Sequence, residues 1–96
     1  MVTIRETKIY SRWFTALRDR KARARIQTRL DRLQLGLLGD VKPVGEGVLE
    51  LRIDYGPGYR VYFVHRGQEL VILLVGGDKS TQEKDIKIAL DLARNI

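Results

Sequence analysis

The chain has 96 residues, with 18 Lys and Arg against 12 Asp and Glu, so its net charge is +6. The absence of cysteine excludes disulfides, thiolate metal sites and cysteine nucleophiles, and the single histidine excludes His-rich metal sites. We expect one domain over residues 1–96, because a chain of this length has no room for a second core. The longest apolar run is too short to span a membrane and no signal peptide is recognisable, so we expect a cytoplasmic protein.

The positive charge is concentrated in the first third of the chain. Residues 1–36 contain ten basic and three acidic residues, whereas residues 37–96 contain eight basic and nine acidic residues. A basic segment of this kind suggests a nucleic-acid partner or an acidic protein partner. Charge alone does not choose between them.

The N-terminal segment predicts a short strand followed by a helix. Val2 and Ile4 alternate with polar residues, which is typical of a strand. From there apolar residues recur at helical spacing, and Thr7 is a plausible N-cap. The apolar positions of this first helix are Ile9, Trp13, Phe14 and Leu17.

A second helix is predicted to begin after Asp19, its expected N-cap, and to end at Gly36 or Gly39. Its apolar face consists of Ala22, Ile26, Leu30, Leu33 and Leu37. A basic stripe runs beside that face and consists of Lys21, Arg25, Arg29 and Arg32. Such a stripe is either a solvated helix surface or a binding surface.

The remainder of the chain predicts a loop, three strands and a last helix. Residues 40–47 contain Pro43 and two glycines, so we expect a loop. Alternation then predicts a hairpin of residues 49–55 and 59–65 around the turn Gly56–Gly58. Residues 70–75 are apolar on both faces, as in an internal strand, and a capping box of Ser80 and Glu83 opens the last helix. The order β-α-α-β-β-β-α predicts an α+β fold, an antiparallel meander with the two N-terminal helices packed on one face.

One face of the hairpin is a candidate binding surface. If the turn pairs Tyr55 with Tyr59, Asp54 lies opposite Arg60 and Arg52 opposite Tyr62, on the face that the two helices leave open. The shared surface then consists of Glu50, Arg52, Asp54, Arg60 and Tyr62. Cations and aromatic rings together suit RNA phosphates and bases. Ordinary cross-strand ion pairs, Arg60 with Asp54 and Arg52 with Glu50, are the alternative interpretation.

Other motifs are less informative. The stretch from Val75 to Thr81 has the look of a phosphate-binding loop, but Asp78 precedes Lys79 where such a loop has glycine. His65 falls on the apolar side of its strand, which favours a partly buried structural histidine. The aspartates of the last helix lack an obvious third ligand for a metal site.

Two strings carry a family resemblance: LRIDYGPGYRVYF over residues 51–63 and VGGDKSTQEKDI over residues 75–86. With them the chain resembles the RelE/ParE superfamily of type II toxins, most closely its HigB-like branch, over nearly its whole length. The resemblance implies a RelE-like fold, no cofactor, and a helix-turn-helix antitoxin that forms a hetero-oligomer with the toxin. It also implies either ribosome-dependent cleavage of mRNA or, as in the ParE type, inhibition of DNA gyrase. An inactive member that only binds antitoxin is a third hypothesis.

The resemblance also assigns residues. Arg60 matches the strand arginine that contacts the scissile phosphate in the RNases, Lys79 lies where they place a second cation, and Arg52 lies near basic residues of the preceding strand. These three are the predicted catalytic residues. The predicted RNA-binding residues are Lys21, Arg25, Arg29, Arg32 and Tyr62. The C-terminal Tyr or His that some of these RNases use for acid–base chemistry is missing.

Metal-free cleavage of RNA needs a base for the ribose 2′-OH, cations for the anionic phosphorane, and a proton for the 5′-oxygen. Fixed cations usually contribute the largest effect. Asp54, Asp78 or Asp85 could be the base if its pKa were tuned to the task. We expect no metal and no cofactor in such a site.

Overall fold

Eight helices and strands, and one 3-10 turn, follow one another along the chain in the computed structural model, which describes all 96 residues. They are strand β1 (Thr3–Glu6), helices α1 (Lys8–Ala16) and α2 (Arg20–Gln34), strands β2 (Val41–Gly45), β3 (Val48–Ile53), β4 (Tyr59–Arg66) and β5 (Leu70–Gly77), the 3-10 turn (Lys79–Thr81) and helix α3 (Gln82–Arg94). The α+β prediction is confirmed. None of the helices combines the length and the apolar character needed to cross a membrane.

The strands form a single sheet in the order β1-β5-β4-β3-β2, in which β1 runs parallel to β5 and the other neighbours are antiparallel. The predicted order lacks β2, which occupies part of the expected loop. Pro43 and Gly45 disfavour a strand, yet an edge strand tolerates proline because one side of its backbone needs no partner. The pairing of β2 with β3 is irregular between these two residues.

The helix starts predicted for α1 and α2 are confirmed. The Thr7 hydroxyl accepts a hydrogen bond from the Tyr10 N–H at 3.0 Å, and the Asp19 carboxylate accepts from the N–H groups of Lys21 and Ala22. Helix α2 ends at Gln34, and Gly36 follows with a φ of +85°, where glycine is favoured. Leu37 therefore lies beyond the helix and is exposed, although the pattern placed it on the apolar face.

Apolar side chains are buried on both faces of the sheet. Helices α1 and α2 cover one face, and its buried residues are Tyr10, Ile26, Leu30, Leu33, Leu51, Ile53, Val61, Phe63, Val71 and Leu73. Helix α3 covers the other face, and its buried residues are Val48, Tyr62, Val64, Leu74, Val75, Ala89 and Ala93. The expectation that this second face is open is wrong over most of its area, because α3 returns across it.

The hairpin register differs from the prediction by two residues. Ile53 pairs with Tyr59 and Arg52 with Arg60, so the connection is five residues long and Asp54 lies outside the strand. Both registers keep odd-numbered residues on the same face, so the hydrophobic pattern cannot distinguish them. The conformation of the loop sets the register, because Gly56 and Gly58 both adopt positive φ and the Gly58 N–H donates to the Tyr55 carbonyl.

Two local predictions are wrong. Helix α3 is not opened by a box of Ser80 and Glu83: the Asp78 carboxylate caps the preceding 3-10 turn by accepting from the Ser80 N–H, and α3 begins at Gln82. His65 is exposed rather than partly buried, because it lies near the end of β4, next to the exposed β4–β5 turn. Its ring contacts the edge of Phe63 at a centroid distance of 5.8 Å.

Candidate active site

The three predicted catalytic cations lie together at one end of the sheet. Arg52 and Arg60 are cross-strand partners, and Arg60 in turn lies opposite Gly77 at the end of β5. Two residues further on, the Lys79 N–H donates to the Pro57 carbonyl at 3.3 Å. This bond ties the segment after β5 to the hairpin loop and brings Lys79 beside the two arginines.

The cations line an open pocket of about 300 Å³. Its lining residues are Asp40, Arg52, Ile53, Asp54, Gly58, Arg60 and Lys79. Three cations and two carboxylates leave the lining with a net charge of +1. The pocket is therefore suited to an anionic group, although part of its positive charge is already neutralised.

Arg52 is paired with Asp40 in this pocket. Its Nε and Nη2 atoms both donate to Asp40 Oδ1, at 3.1 and 2.9 Å. The hydrogen bond from Arg52 holds the pKa of Asp40 below its usual range. Both side chains are about half exposed, so water and other anions can compete for the guanidinium.

Arg60 lies at the base of the pocket, with only 13% of its side chain exposed. Its Nη1 atom donates to the Gly58 carbonyl at 3.3 Å. Its Nε atom is 3.7 Å from Glu50 Oε2, which is too long for a hydrogen bond, and has no other partner. The expected ion pairs of Arg60 with Asp54 and of Arg52 with Glu50 are therefore absent.

A buried polar cluster lies behind Arg60, under α3. Glu50 is fully buried, and its Oε2 atom accepts hydrogen bonds from the Tyr62 hydroxyl at 2.8 Å and from Gln82 Nε2 at 2.9 Å. Burial, followed by the hydrogen bond to Glu50, raises the pKa of Tyr62. The prediction that Tyr62 lies on an open RNA-binding surface is wrong, because α3 leaves none of this residue exposed.

The three candidate acid–base residues have different surroundings. Asp54 is exposed and lines the pocket. The Asp78 carboxylate accepts from the N–H and the hydroxyl of Ser80 and serves as a cap. Asp85 is buried and accepts from the Thr81 hydroxyl at 2.5 Å. The structure thus brings one of the three, Asp54, to the cations.

The basic stripe of α2 borders a second groove, of about 470 Å³. Its lining residues are Ala24, Arg25, Thr28, Arg29, Arg32, Ile53 and Asp54. Ile53 and Asp54 also line the pocket of the three cations, so the groove and the pocket form one continuous surface. Lys21, the fourth residue of the predicted stripe, lies outside the groove at the start of the helix.

The arginines of the groove are engaged to different extents. The Arg29 guanidinium donates to three carbonyl groups, those of Leu38, Asp40 and Arg52, and so fixes the loop before β2 against β3. Arg25 lies over the Tyr55 ring at 4.7 Å from its centroid. Arg32 is exposed, and its side chain makes no hydrogen bond or ion pair within the chain. Arg29 is thus mainly structural, whereas Arg25 and Arg32 keep donors available to a ligand.

Sequence reasoning missed the roles of Asp40 and Gln82 and left Glu50 on the open surface. A glutamate between Leu49 and Leu51 sits at an outward position of a two-residue period, and only the placement of α3 shows that the position is buried. No group of three or more His, Asp or Glu side chains converges in a way that could hold a metal ion.

Most of the chain matches a known protein family. Residues 12–95 match the profile of a family described as phage derived protein Gp49-like (DUF891). This family is RelE-like and toxin-like in general and is associated with the toxins of toxin–antitoxin systems. A protein of Haemophilus influenzae described as an uncharacterized protein is 50% identical over 95 residues, which is 99% of this chain and 96% of that protein.

Proposed function

We propose that this chain, which belongs to the phage-derived Gp49-like family, is the toxin of a type II toxin–antitoxin module. We further propose that it is a metal-independent endoribonuclease that cuts mRNA on the ribosome and so inhibits translation. The observation that carries the proposal is the pocket in which Arg52, Arg60 and Lys79 meet the carboxylate of Asp54, beside Asp40, which is paired with Arg52.

The reaction that suits this pocket is an internal transfer at phosphorus. The ribose 2′-oxygen loses its proton and attacks the adjacent phosphorus, and the bond from phosphorus to the 5′-oxygen breaks. The products are a 2′,3′-cyclic phosphate and a 5′-hydroxyl, which takes up one proton. In this proposal Arg60 and Lys79 stabilise the charge that develops on the phosphorane, the effect that preorganised cations supply best.

The carboxylates of the pocket have separate roles in this mechanism. Asp40 has a lowered pKa because Arg52 donates to it, so it is a weak base and acts as an anion that holds Arg52 before substrate arrives. A phosphate entering the pocket competes with Asp40 for the same guanidinium. Asp54 has no hydrogen bond to another side chain in the pocket and is the carboxylate we assign as general base, with Lys79 as proton donor to the 5′-oxygen.

The groove beside the pocket offers a path for the flanking strand. Arg25 and Arg32 face it, and single-stranded RNA needs both cations for phosphates and flat groups on which bases stack. If each of these arginines contacts one phosphate, its replacement by alanine lowers the slope of log K against log salt by about 0.7. Arg23 lies on the same helix outside the groove lining, and its replacement serves as the control.

Arg60→Ala is the variant that tests the proposal. Expressed without antitoxin, the wild type should arrest growth and cut mRNA within translated codons, and Arg60→Ala should do neither while still binding antitoxin. Arg12→Ala, which removes an exposed arginine of α1 away from the pocket, is the matched control and should remain toxic. Growth arrest by the wild type with intact mRNA would refute the RNase proposal.

Inhibition of DNA gyrase is the second candidate function, because no histidine or tyrosine lines the pocket to act in acid–base catalysis. It predicts that DNA synthesis stops while translation continues, and that the purified protein inhibits supercoiling by gyrase. Labelling nascent protein and nascent DNA separately after induction distinguishes the two functions. Normal growth under the same expression would instead support an inactive member that only binds antitoxin.

The proposed partner is a helix-turn-helix antitoxin that forms a hetero-oligomer with this chain. Leu35 and Leu37 lie just after α2 and are 62% and 59% exposed, so apolar surface is available for such a partner. The reading frame next to this one tests the proposal directly, since it should encode a short helix-turn-helix protein that copurifies with this chain.

A further inference from the structure

The fully buried carboxylate of Glu50 has an unusual set of neighbours. Both hydrogen bonds that it accepts, from Tyr62 and Gln82, reach the same oxygen, Oε2. The other oxygen, Oε1, is buried without a partner, as is the Nε atom of Arg60, 3.7 Å from Oε2. Two opposite charges thus face each other behind the pocket, each with unused hydrogen-bonding capacity.

The surroundings of Glu50 are mixed rather than purely polar. The buried residues of the α3 face are largely apolar, such as Val48, Val64 and Val75. Removing a carboxylate from water is costly, and a pair of buried charges often contributes no more to stability than apolar side chains of similar volume. Stability therefore does not explain the choice of glutamate, whereas its position next to Arg60 does suggest a reason.

Arg60 is held from two sides. The Gly58 carbonyl accepts from Nη1, and the Glu50 carboxylate faces the Nε edge. A guanidinium is a rigid planar group, so contacts on these two edges fix the direction in which its remaining N–H groups point. Arg60 lines the pocket, so we infer that these remaining N–H groups face it.

We propose that Glu50 is a positioning residue for Arg60, and that Tyr62 and Gln82 hold Glu50 in place for this task. The proposal rests on the proposed RNase function. Glu50 attracts the Nε edge of Arg60 from behind, so the guanidinium presents its outer N–H groups to the reacting phosphate. When a phosphate occupies the pocket, the guanidinium lies between two anions and is confined in a single orientation.

Glu50→Gln is the informative variant because it keeps the shape of the side chain and removes its charge. The amide oxygen can take the place of Oε2 and still accept from Tyr62 and Gln82, but the Nε edge of Arg60 then faces a neutral group instead of an anion. We expect kcat to fall by about 10²-fold, the effect of a misplacement of about 1 Å, with KM changed by less than about threefold. Glu50→Asp, which keeps the charge, should recover part of kcat.

Glu46→Gln is the matched control. Glu46 is also a glutamate of the β2–β3 hairpin, but it is exposed and pairs with Arg94, and it lies outside the pocket. Its replacement should leave kcat and KM unchanged. Tyr62→Phe removes one of the two donors to Glu50 and keeps the ring, so it gives a second variant should Glu50→Gln not fold. It should lower kcat by a smaller factor than Glu50→Gln.

A spectroscopic measurement separates this proposal from the proposed function. The Nε–H resonance of Arg60, assigned by its loss in Arg60→Ala, should be narrow and slow to exchange with water in the wild type. It should broaden and exchange faster in Glu50→Gln and keep its wild-type behaviour in Glu46→Gln. An unchanged resonance in Glu50→Gln, or an unchanged kcat, overturns the positioning role. If the wild type cuts no RNA, the proposed function fails, and the resonance alone decides whether Glu50 positions Arg60.

Discussion

The two faces of the sheet bury different kinds of side chain. The face under α1 and α2 buries apolar side chains, with the Tyr10 hydroxyl as its one buried polar group without a hydrogen bond. The face under α3 buries two carboxylates, Glu50 and Asp85, beside its apolar residues. The second face thus combines a smaller core with groups that are expensive to bury.

The polar groups of the α3 face are gathered at one end. Glu50 and Tyr62 form the cross-strand row next to Arg52 and Arg60, and Asp85 lies against Gly77 in the same part of the sheet. Val48, Val64 and Ala93 belong to the apolar cluster of the same face. We infer that the α1/α2 face mainly stabilises the fold, while the polar end of the α3 face supports the pocket.

The largest expected effect comes from the apolar face. Phe63 is fully buried in the core under α1 and α2, so Phe63→Ala should lower the free energy of unfolding by about 3–5 kcal/mol. A small domain has about 5–15 kcal/mol in total, so much of the stability is lost. Urea unfolding measures the change. A loss below about 1 kcal/mol would contradict the view that this face carries most of the stability.

Two adjacent glycines allow the faces to be compared directly. A Cβ atom added at Gly76 would overlap the Trp13 ring on the α1 side, and one at Gly77 would overlap the Asp85 carboxylate on the α3 side. Each alanine substitution should cost about 1–3 kcal/mol, because a packed neighbour must move. Gly77→Ala should in addition lower RNA cleavage, since it displaces the segment that leads to Lys79.

The test measures RNA cleavage rates and urea unfolding for both glycine variants. Equal losses of stability, with loss of cleavage in Gly77→Ala alone, would support the assignment of the pocket to the α3 face. Equal loss of cleavage in Gly76→Ala, after correction for the unfolded fraction, would contradict it.

Tyr62→Phe should have a smaller effect on stability than Phe63→Ala at the neighbouring position. The ring remains, and what is lost is one hydrogen bond to a carboxylate, about 1–3 kcal/mol. The pKa of Tyr62 is raised in the folded protein, so its hydroxyl stays protonated and donates to Glu50 up to strongly alkaline pH. We therefore expect the difference in unfolding free energy between wild type and Tyr62→Phe to stay constant between pH 6 and 9. A difference that disappears within this range would contradict the assigned hydrogen bond.

The two faces of the sheet also differ in how much of them the sequence could predict. The periodicity of α2 and the alternation of β3 and β4 report which side chains are apolar, and the residues of the α1/α2 face were largely predictable from it. Thr7 and Asp19 were predictable as caps because their hydrogen bonds are local. Arg52, Arg60 and Lys79 could be grouped because a hairpin and the next strand end bring them together under either register.

The features that the sequence could not predict depend on contacts between segments that are distant in the chain. No local pattern shows that α3 covers Glu50 and Tyr62, so both residues were placed on an open surface. The two glycines before Asp78 were compared with a phosphate-binding loop, yet their neighbours, Trp13 and Asp85, come from opposite sides of the sheet. Asp40 was part of an expected loop. Its pairing with Arg52 follows from strand β2, which was not predicted because Pro43 and Gly45 disfavour a strand.

The smallest expected effect on stability lies outside both cores, at the exposed pair of Asp40 and Arg52. The pKa of Asp40 is lowered in the folded protein, so its contribution to stability is present above its ordinary pKa, near 4, and is lost as the pH falls through the lowered value. Asp40→Asn should therefore be slightly less stable than wild type at pH 7 and indistinguishable from it near pH 2, as measured by urea unfolding. Glu46→Gln, which also removes a carboxylate of lowered pKa, should show the same loss of its stability difference from wild type at low pH.

Only Asp40→Asn should bind inorganic phosphate or RNA more tightly at pH 7, because it alone releases an arginine of the pocket. Tighter binding by both variants would mean that net charge, rather than the pairing of Arg52, controls the affinity.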